Sequence, residues 1–491
     1  FDTVDLWVSF RVAGWPSQNT YLRVKLKAPP LPRIPGWYRG DLHYHSAYTD
    51  NPAERGHPLN VTKQAALHTG LDWVVLADHS TELSPESYSE ALRDVAKYQD
   101  GRFIFIRGEE ITVTSAKQAL LTTLHLVALP PPDDPTRGFP SPSAPAEVVI
   151  MTGDGSVASP ALPLHEALQR IAAAGGFAYA AHPFDPVSPI LRGGSWDLGL
   201  DFLAPEGKKL ATGLIGLAPW NRATNATADN AHDPLCIRRD ADPSSCFQPD
   251  KEADQYVRLE RGIELGWQPL LAKGLSGATG DSPFPAFKVF LAAGSDAHGD
   301  FNYESTMDAV DFLSKPSRAA TGYAEDNAFG KIATVTYCSQ GMGRRGENVL
   351  RALLQGHTVL SNGPLLIAGF DVNSNGTLDD PQDIVIGSEV ESRWNQISPL
   401  QLQWASNKEF GPVVSLRVIV GSSSGESNPE EIPVAPAMAF ASDGLVPLDL
   451  RDRLGKVMGS GAYVRLEART RNGAGEEFRC YTNPVWVRFT D

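Results

Sequence analysis

Cysteine is scarce, positive charge is in deficit, and no apolar run is long enough to cross a bilayer. The 491 residues hold four cysteines, Cys236, Cys246, Cys338 and Cys480. None is paired at the close spacing of a zinc ribbon, so that class is excluded. Cys236 and Cys246 flank a polar stretch rich in proline and aspartate. Two readings stay open for them, a small disulfide loop or free thiols. The formal net charge is −15. A nucleic-acid duplex is therefore set aside as the main partner, because phosphate backbones call for a basic surface. A small phosphorylated substrate is not set aside, since buried metal ions invert the charge locally. The chain has no run of about 18 apolar residues, and no membrane span is expected.

What is present suits a large globular core. The hydrophobic fraction is 42%, and the length calls for two or three domains. The chain begins at Phe1 rather than methionine. With ten tryptophans, thirteen tyrosines, much proline and glycine and little lysine, the expectation is an exported protein, periplasmic or secreted.

Three regions differ in texture. Residues 1–36 carry strand-like runs, Val4–Val12 and Tyr21–Leu26, then a proline-rich connector at 28–35. From residue 37 to 365, short buried strands are expected at 39–45, 72–79, 102–110, 124–129, 177–182, 213–219 and 288–295. Helical patterns lie between several of them: Val61–Thr69 capped by Asn60, Ser84–Tyr98, Leu164–Ala174, Asp254–Lys273 and Glu347–Gln355. Strands alternating with helices argue for a closed parallel β/α barrel, whose chemistry gathers at the C-terminal ends of its strands. Residues 366–491 read instead as an all-β sandwich without helices, with strands at Leu400–Trp404, Val413–Val420, Ala462–Ala468 and Val485–Phe489.

The strand ends carry the chemistry. Residues 41–50 read Asp-Leu-His-Tyr-His-Ser-Ala-Tyr-Thr-Asp. Positions i and i+2 of a strand share a face, so His43 and His45 point the same way, with Asp50 just beyond. The second strand ends at Asp78-His79 and the third at Glu109-Glu110. The fourth opens with His125, the fifth ends at His182, and the seventh ends at Asp296-Ala297-His298. The sixth supplies no obvious ligand. A single histidine at a strand end is usually a satisfied polar residue. Here six of the eleven histidines fall at such ends, which points to a metal site.

These motifs resemble those of the PHP (polymerase and histidinol phosphatase) superfamily, over about residues 37–365. The match rests on Asp-Leu-His-Tyr-His-Ser with Asp50, Ala-Asp-His, Gly-Glu-Glu-Ile-Thr, His125, Ala-His-Pro and Gly-Ser-Asp-Ala-His. The segments Gly356-His357-Thr358, Ser361-Asn362-Gly363-Pro364 and Thr482-Asn483-Pro484 are similar to the CehA/McbA (carbaryl-hydrolase-like) branch. The resemblance implies an α/β fold, a distorted seven-stranded (β/α)7 barrel, followed here by the β sandwich. It also implies three ions of zinc, iron or manganese. His43, His45, Glu110 and Asp296 would hold the first. Glu110, bridging, would hold the second with His125 and His182. Asp50, His79 and His298 would hold the third. Asn51 stands where the family has glycine. Asp78 and Glu109 are expected behind the ligands, because neighbours on a strand point opposite ways.

The expected activity is metal-dependent hydrolysis of a small-molecule ester, a phosphomonoester or phosphodiester, by a water that the ions activate. The alternatives are a carboxyl or carbamate ester or amide, and a metal- or glycan-binding protein without catalysis. No Gly-x-Ser-x-Gly elbow is present. His57 and His232 are candidate general acids, and Arg192, Arg222 and Arg261 candidate anion binders. Each also reads as an ordinary surface residue. A separate run, Asp371, Asn373, Asn375, Gly376 and Asp379, follows the first part of a calcium loop, with Gln382 in place of the closing glutamate. A structural calcium or a plain Asn/Asp/Gly turn would use the same residues.

Overall fold

The computed structural model describes residues 3–10, 18–25, 30–49, 56–115, 123–133, 162–184, 196–220, 237–238, 256, 259–277, 284–297, 329–339, 345–393, 396–455, 461–473 and 475–490. The chain opens with an antiparallel pair, β1 (Thr3–Phe10) and β2 (Gln18–Lys25). Then come β3 (Trp37–Tyr44), β4 (Trp73–Leu76), β5 (Ile104–Arg107), β6 (Glu109–Thr114), β7 (Thr123–Leu129), β8 (Phe177–Ala181) and β9 (Leu214–Trp220). A short β10 (Ile237–Arg238) joins the free edge of β2, and β11 (Phe290–Ala293) follows.

Strands β4, β5, β8 and β11 are buried at every position. That is why they read as continuous apolar runs rather than as alternating ones. Helices α1 (Leu59–His68), α2 (Pro85–Tyr98), α3 (Leu164–Ala173) and α4 (Gln268–Ser276) lie between some of them, and a π turn (Ile263–Trp267) leads into α4. Ser84 caps α2 through its hydroxyl, which accepts from the Ser87 amide at 3.1 Å, and Pro85 fills the first helical position. Helix α1 begins one residue before the expected cap, at Leu59 behind Pro58, so Asn60 sits inside the first turn.

The expectation of parallel strands alternating with helices holds only in part. β3, β4 and β5 run parallel, and so do β8, β9 and β11. β7 is antiparallel to both β6 and β8. The physical reason is length: residues 115–122 are too few for a parallel crossover, which takes roughly a dozen residues or more. The two sheets meet at both edges. The Gly108 and Glu110 amides donate to Leu76 O (2.9 Å) and Asp78 O (3.1 Å). At the other edge, Asp296 N donates to His43 O (2.7 Å) and His45 N to Ala297 O (3.1 Å). His43, His45, Glu110 and Asp296, four of the residues singled out as ligands, therefore lie where the sheets are joined.

The β3 sheet continues beyond residue 365. β12 (Ala333–Tyr337) pairs with β3, and β13 (Thr358–Ser361) pairs with β12. Helix α5 (Gly346–Gln355) links these two strands and ends at Gly356, whose φ is +69°. Next come β14 (Leu365–Phe370), β15 (Ile384–Val385), β16 (Glu389–Arg393), β17 (Leu400–Ala405) and β18 (Val413–Ser422). The hairpin strands β19 (Gly425–Glu426) and β20 (Glu430–Glu431) lead to β21 (Val446–Leu448), β22 (Gly461–Arg471), β23 (Glu477–Thr482) and β24 (Val485–Thr490). β23 pairs with β13, so one sheet runs from β5 through β3 to β24 and β16. β15, β14, β17 and β21 make a separate sheet. Leu366, Ile367, Leu402 and Trp404 of that sheet share one apolar cluster with Leu416, Val464 and Val487 of the large one. After residue 366 the described residues include a single helical turn (Arg451–Leu454) and a short 3-10 turn (Pro436–Met438).

The 356–364 and 482–484 segments serve this junction. The Asn483 amide inserts between β11 and β13. Its Oδ1 accepts from Leu291 N (2.8 Å), and its Nδ2 donates to Thr358 Oγ1 (2.7 Å). His357 lies just before β13 with Nε2 3.1 Å from Ser388 Oγ, and burial, helped by Lys288, pushes its imidazole down to about 4. The unfolded value is about 6.5, so below it the unfolded chain binds a proton that the folded chain refuses. Stability is then lost as pH falls through the window from about 6.5 to about 4. His357→Gln is expected to remove about 2 kcal/mol of the stability lost between pH 7 and pH 5. Urea midpoints at the two pH values measure it; an unaltered acid sensitivity would refute the assignment.

Candidate metal centre

His43 is the penultimate residue of β3 and His45 lies just past its end, two residues on, so both imidazoles leave the same face. Both are fully buried, with ring centroids 5.1 Å apart. Their Nε2 atoms are 3.2 Å apart, and Asp296 Oδ1 lies 3.3 Å from that of His43 and 3.1 Å from that of His45. Glu110 Oε2 is 3.4 Å from each. An ion with bonds of about 2.0–2.1 Å in a tetrahedral shell would separate its ligands by roughly 3.3–3.4 Å. Four donors from three distant segments are thus already spaced as the corners of one coordination shell.

The other oxygen of Glu110 faces a second group. Oε1 is 2.8 Å from His125 Nδ1 and 3.2 Å from His182 Nε2. Register explains the meeting of Glu110 and His125. Glu110 of β6 stands opposite Val127 of β7, and His125 is that residue's neighbour on the same face. His79 adds a third direction, with Nδ1 3.0 Å from Glu110 Oε2. Two groups of three or more metal-type side chains converge among the described residues, and both contain Glu110.

Exposure is graded across the cluster. The side chains of His43 and His45 are 0% exposed, Glu110 1% and Asp296 8%. His182 and His125 are 24% and 27% exposed. The first group is sealed and the second opens to solvent. Charge is balanced by proximity. Burial alone would raise the Glu110 carboxyl, but the imidazoles of His125, His43 and His79 hold it well below its usual range. Burial and the neighbouring His79 would lower His45, but its bonds to Asp296 and Glu110 outweigh them and lift it to about 9.

Two of these residues are strained. His182 has φ +30° and Asp296 φ +54°, a region that side chains other than glycine rarely enter. Such conformations cluster where the surroundings hold a functional group in place.

Behind the cluster, carboxylates fix its backbone. Asp41 Oδ1 accepts from the amides of His43 (3.0 Å) and Ser295 (2.9 Å), tying the first motif to the last. Sequence reasoning missed this role; Asp41 lies two residues before His43, and that spacing was the available signal. Asp78 accepts from Ser46 N (2.6 Å), Ser46 Oγ (2.8 Å) and Thr49 Oγ1 (2.8 Å), so it pins the loop after β3. Glu109 points away from Glu110 toward the buried Arg107, whose NH2 lies 3.9 Å from it.

Asp50, His298, His232, Arg192, Arg222, Cys236 and Cys246 lie outside the described residues. His57 bridges to Ser46, and burial lowers its imidazole. Arg261 Nε donates to Phe184 O at 3.1 Å. In the 371–383 loop, Asp371 accepts from the amides of Asn375 (3.1 Å) and Gly376 (2.8 Å). The side-chain amides of Asn373 and Asn375 both turn to Asp380. These are hydrogen bonds of the turn itself, and Asp379 is 8% exposed beside it.

No protein-family model and no curated protein matches the chain. Among solved structures it is similar to one described as a "putative metal-dependent phosphoesterase" from Bifidobacterium adolescentis. That likeness has 17% identity and a TM-score of 0.26, and covers 53% of this chain and 87% of the other. At that score it carries no argument about the fold or activity of this chain.

Proposed function

We propose that the chain is a metal-dependent hydrolase acting on phosphoesters, built as a distorted seven-stranded barrel with a C-terminal β sandwich. The hydrogen bonds at both sheet edges support a ring of β3, β4, β5, β7, β8, β9 and β11, with β6 continuing β5 across Gly108 and counted with it as one strand. One observation carries the functional reading: Glu110 presents one oxygen to a sealed group of donors and the other to an open group. A carboxylate with two oxygens suits two cations, and imidazoles suit zinc, iron or manganese. The sealed set of His43, His45, Asp296 and Glu110 has the four donors of a closed shell. Glu110, His125 and His182 give three donors on the exposed side, the pattern that leaves a position for substrate. His79, with Asp50 and His298, is proposed to hold a third ion.

Ions held there would supply an activated water and polarise the substrate oxygen, since bound cations lower the pKa of water from about 15.7 to about 7. The chain's own residues do the rest. Asp41 and Asp78 hold the ligand loops, and the carboxylates of Glu110 and Asp296 limit the summed charge. Paired ions bridged by a carboxylate suit displacement at phosphorus, which places phosphoesters first. Elemental analysis together with p-nitrophenyl phosphate, bis-p-nitrophenyl phosphate and 1-naphthyl esters tests the reading. Metal-dependent turnover of the phosphoesters is expected. Turnover of the naphthyl esters alone would move the assignment to carboxyl or carbamate esters, and no turnover with bound metal would favour a binding protein.

A further inference from the structure

β9 contributes no donor to the cluster, yet both strained ligand segments hang from it. The His182 amide donates to Ala218 O at 3.0 Å. The Gly294 amide, two residues before Asp296, donates to Trp220 O at 3.1 Å. A non-glycine residue at positive φ costs about 1–3 kcal/mol and persists only where its surroundings hold it. The C-terminal end of β9 is therefore one support of His182 and of the 294–296 segment, whose other support is β3 through the Asp296 amide and Asp41.

That end is held from outside the ring. Trp220 is fully buried between Tyr256 and Tyr481, with ring centroids 6.0 and 6.3 Å away. Tyr481 and Arg479 both lie on β23. The Arg479 guanidinium sits 3.8 Å over the Tyr256 ring. It donates to Glu260 Oε1 through NH1 and to Glu477 Oε1 through Nε, each at 2.8 Å. Tyr256 OH donates to Glu477 O at 2.6 Å. The segment after Glu260 rests on β9 itself: a Cβ on Gly262 would fall 2.1 Å from Pro219 Cβ.

We propose that Arg479 is a positioning residue for the metal centre. With Tyr481 it fixes Tyr256 and Trp220, and β9 then aims His182 and Asp296. The C-terminal β region thereby supports the centre as well as covering the ring. The inference rests on the metal reading above and adds the element that orients its ligands.

Titration calorimetry of the metal-stripped full chain with Zn2+ and with Mn2+ tests it. Arg479→Met keeps the apolar stem and removes the charge, and is expected to weaken binding about tenfold, the low end for residues that orient ligands. Glu260→Gln removes the charge of Arg479's partner, an exposed side chain (48%), and leaves β23 unaltered; a smaller loss of binding than in Arg479→Met is expected. The double variant should bind no more weakly than Arg479→Met alone, and Arg479→Lys should recover part of the loss. Arg417→Met, which breaks an ion pair between Arg417 of β18 and Glu431 of β20, should bind as the wild type does. Unchanged affinity in Arg479→Met with a lowered thermal midpoint overturns the proposal. If Arg479→Met does not fold, wild-type affinity in Glu260→Gln overturns it. A wild-type chain that binds no ion overturns both this inference and the metal reading, whereas wild-type binding unaltered by either variant overturns this inference alone.

Discussion

Replacing Glu110 with alanine is expected to remove at least two ions per chain relative to the wild type, and with them the hydrolytic activity. The expectation follows from the two faces of one carboxylate. Oε2 lies among His43, His45 and His79, and Oε1 between His125 and His182. No other residue in the described cluster belongs to both groups. A fall of at least about 10³-fold in kcat is expected, equivalent to roughly 4 kcal/mol of lost transition-state stabilisation. Glu110→Gln should be milder in metal content, because an amide still offers one oxygen, but it cannot bridge. His68→Ala, an exposed histidine on α1, serves as the control and should keep full metal content. Metal analysis by mass spectrometry after dialysis reads the result. Wild-type content in Glu110→Ala would sink the bridging assignment whatever happened to the rate.

Stepwise metal removal is expected to separate activity from stability. The open group has side chains 24% and 27% exposed at His182 and His125, whereas His43 and His45 are sealed. A chelator should therefore strip the open position first. Activity should vanish in that phase while the thermal midpoint scarcely moves. The sealed ion should leave later and take stability with it. A ligand at a thousand times its Kd stabilises the folded state by about 4 kcal/mol. For a domain of this size each kcal/mol is worth roughly 2–4 °C, so a drop of about 10 °C is expected in the second phase. Activity and midpoint falling together in one phase would contradict the graded site.

The strand ends were legible because strand geometry is local. His43 and His45 share a face by the two-residue period, and the same period sets Glu109 and Glu110 on opposite sides. The structure indeed turns Glu110 into the cluster and Glu109 toward Arg107. Buried strands such as β4 and β8 could be placed to within a few residues because their apolar runs are short and bounded by polar or glycine signals. The antiparallel course of β7 was not read, although the shortness of 115–122 was a signal for it. Only half of the role of Asp41 is local: the His43 amide is two positions away, but the Ser295 amide is 254 positions away. β9 looked empty to a search for ligands, since what it supplies are backbone carbonyls, which every residue has.

The residues themselves determined the donor types, their positions at strand ends and the face each takes on its own strand, all of which depend on neighbours a few positions away. Tertiary structure alone decided which oxygen of Glu110 meets which histidines, which group is sealed and which is open. It also decided that His182 and Asp296 are strained, and that the His182 and Gly294 amides bond to β9. Those features depend on register between strands far apart in the chain, and register is settled by how the two sheets join and pack.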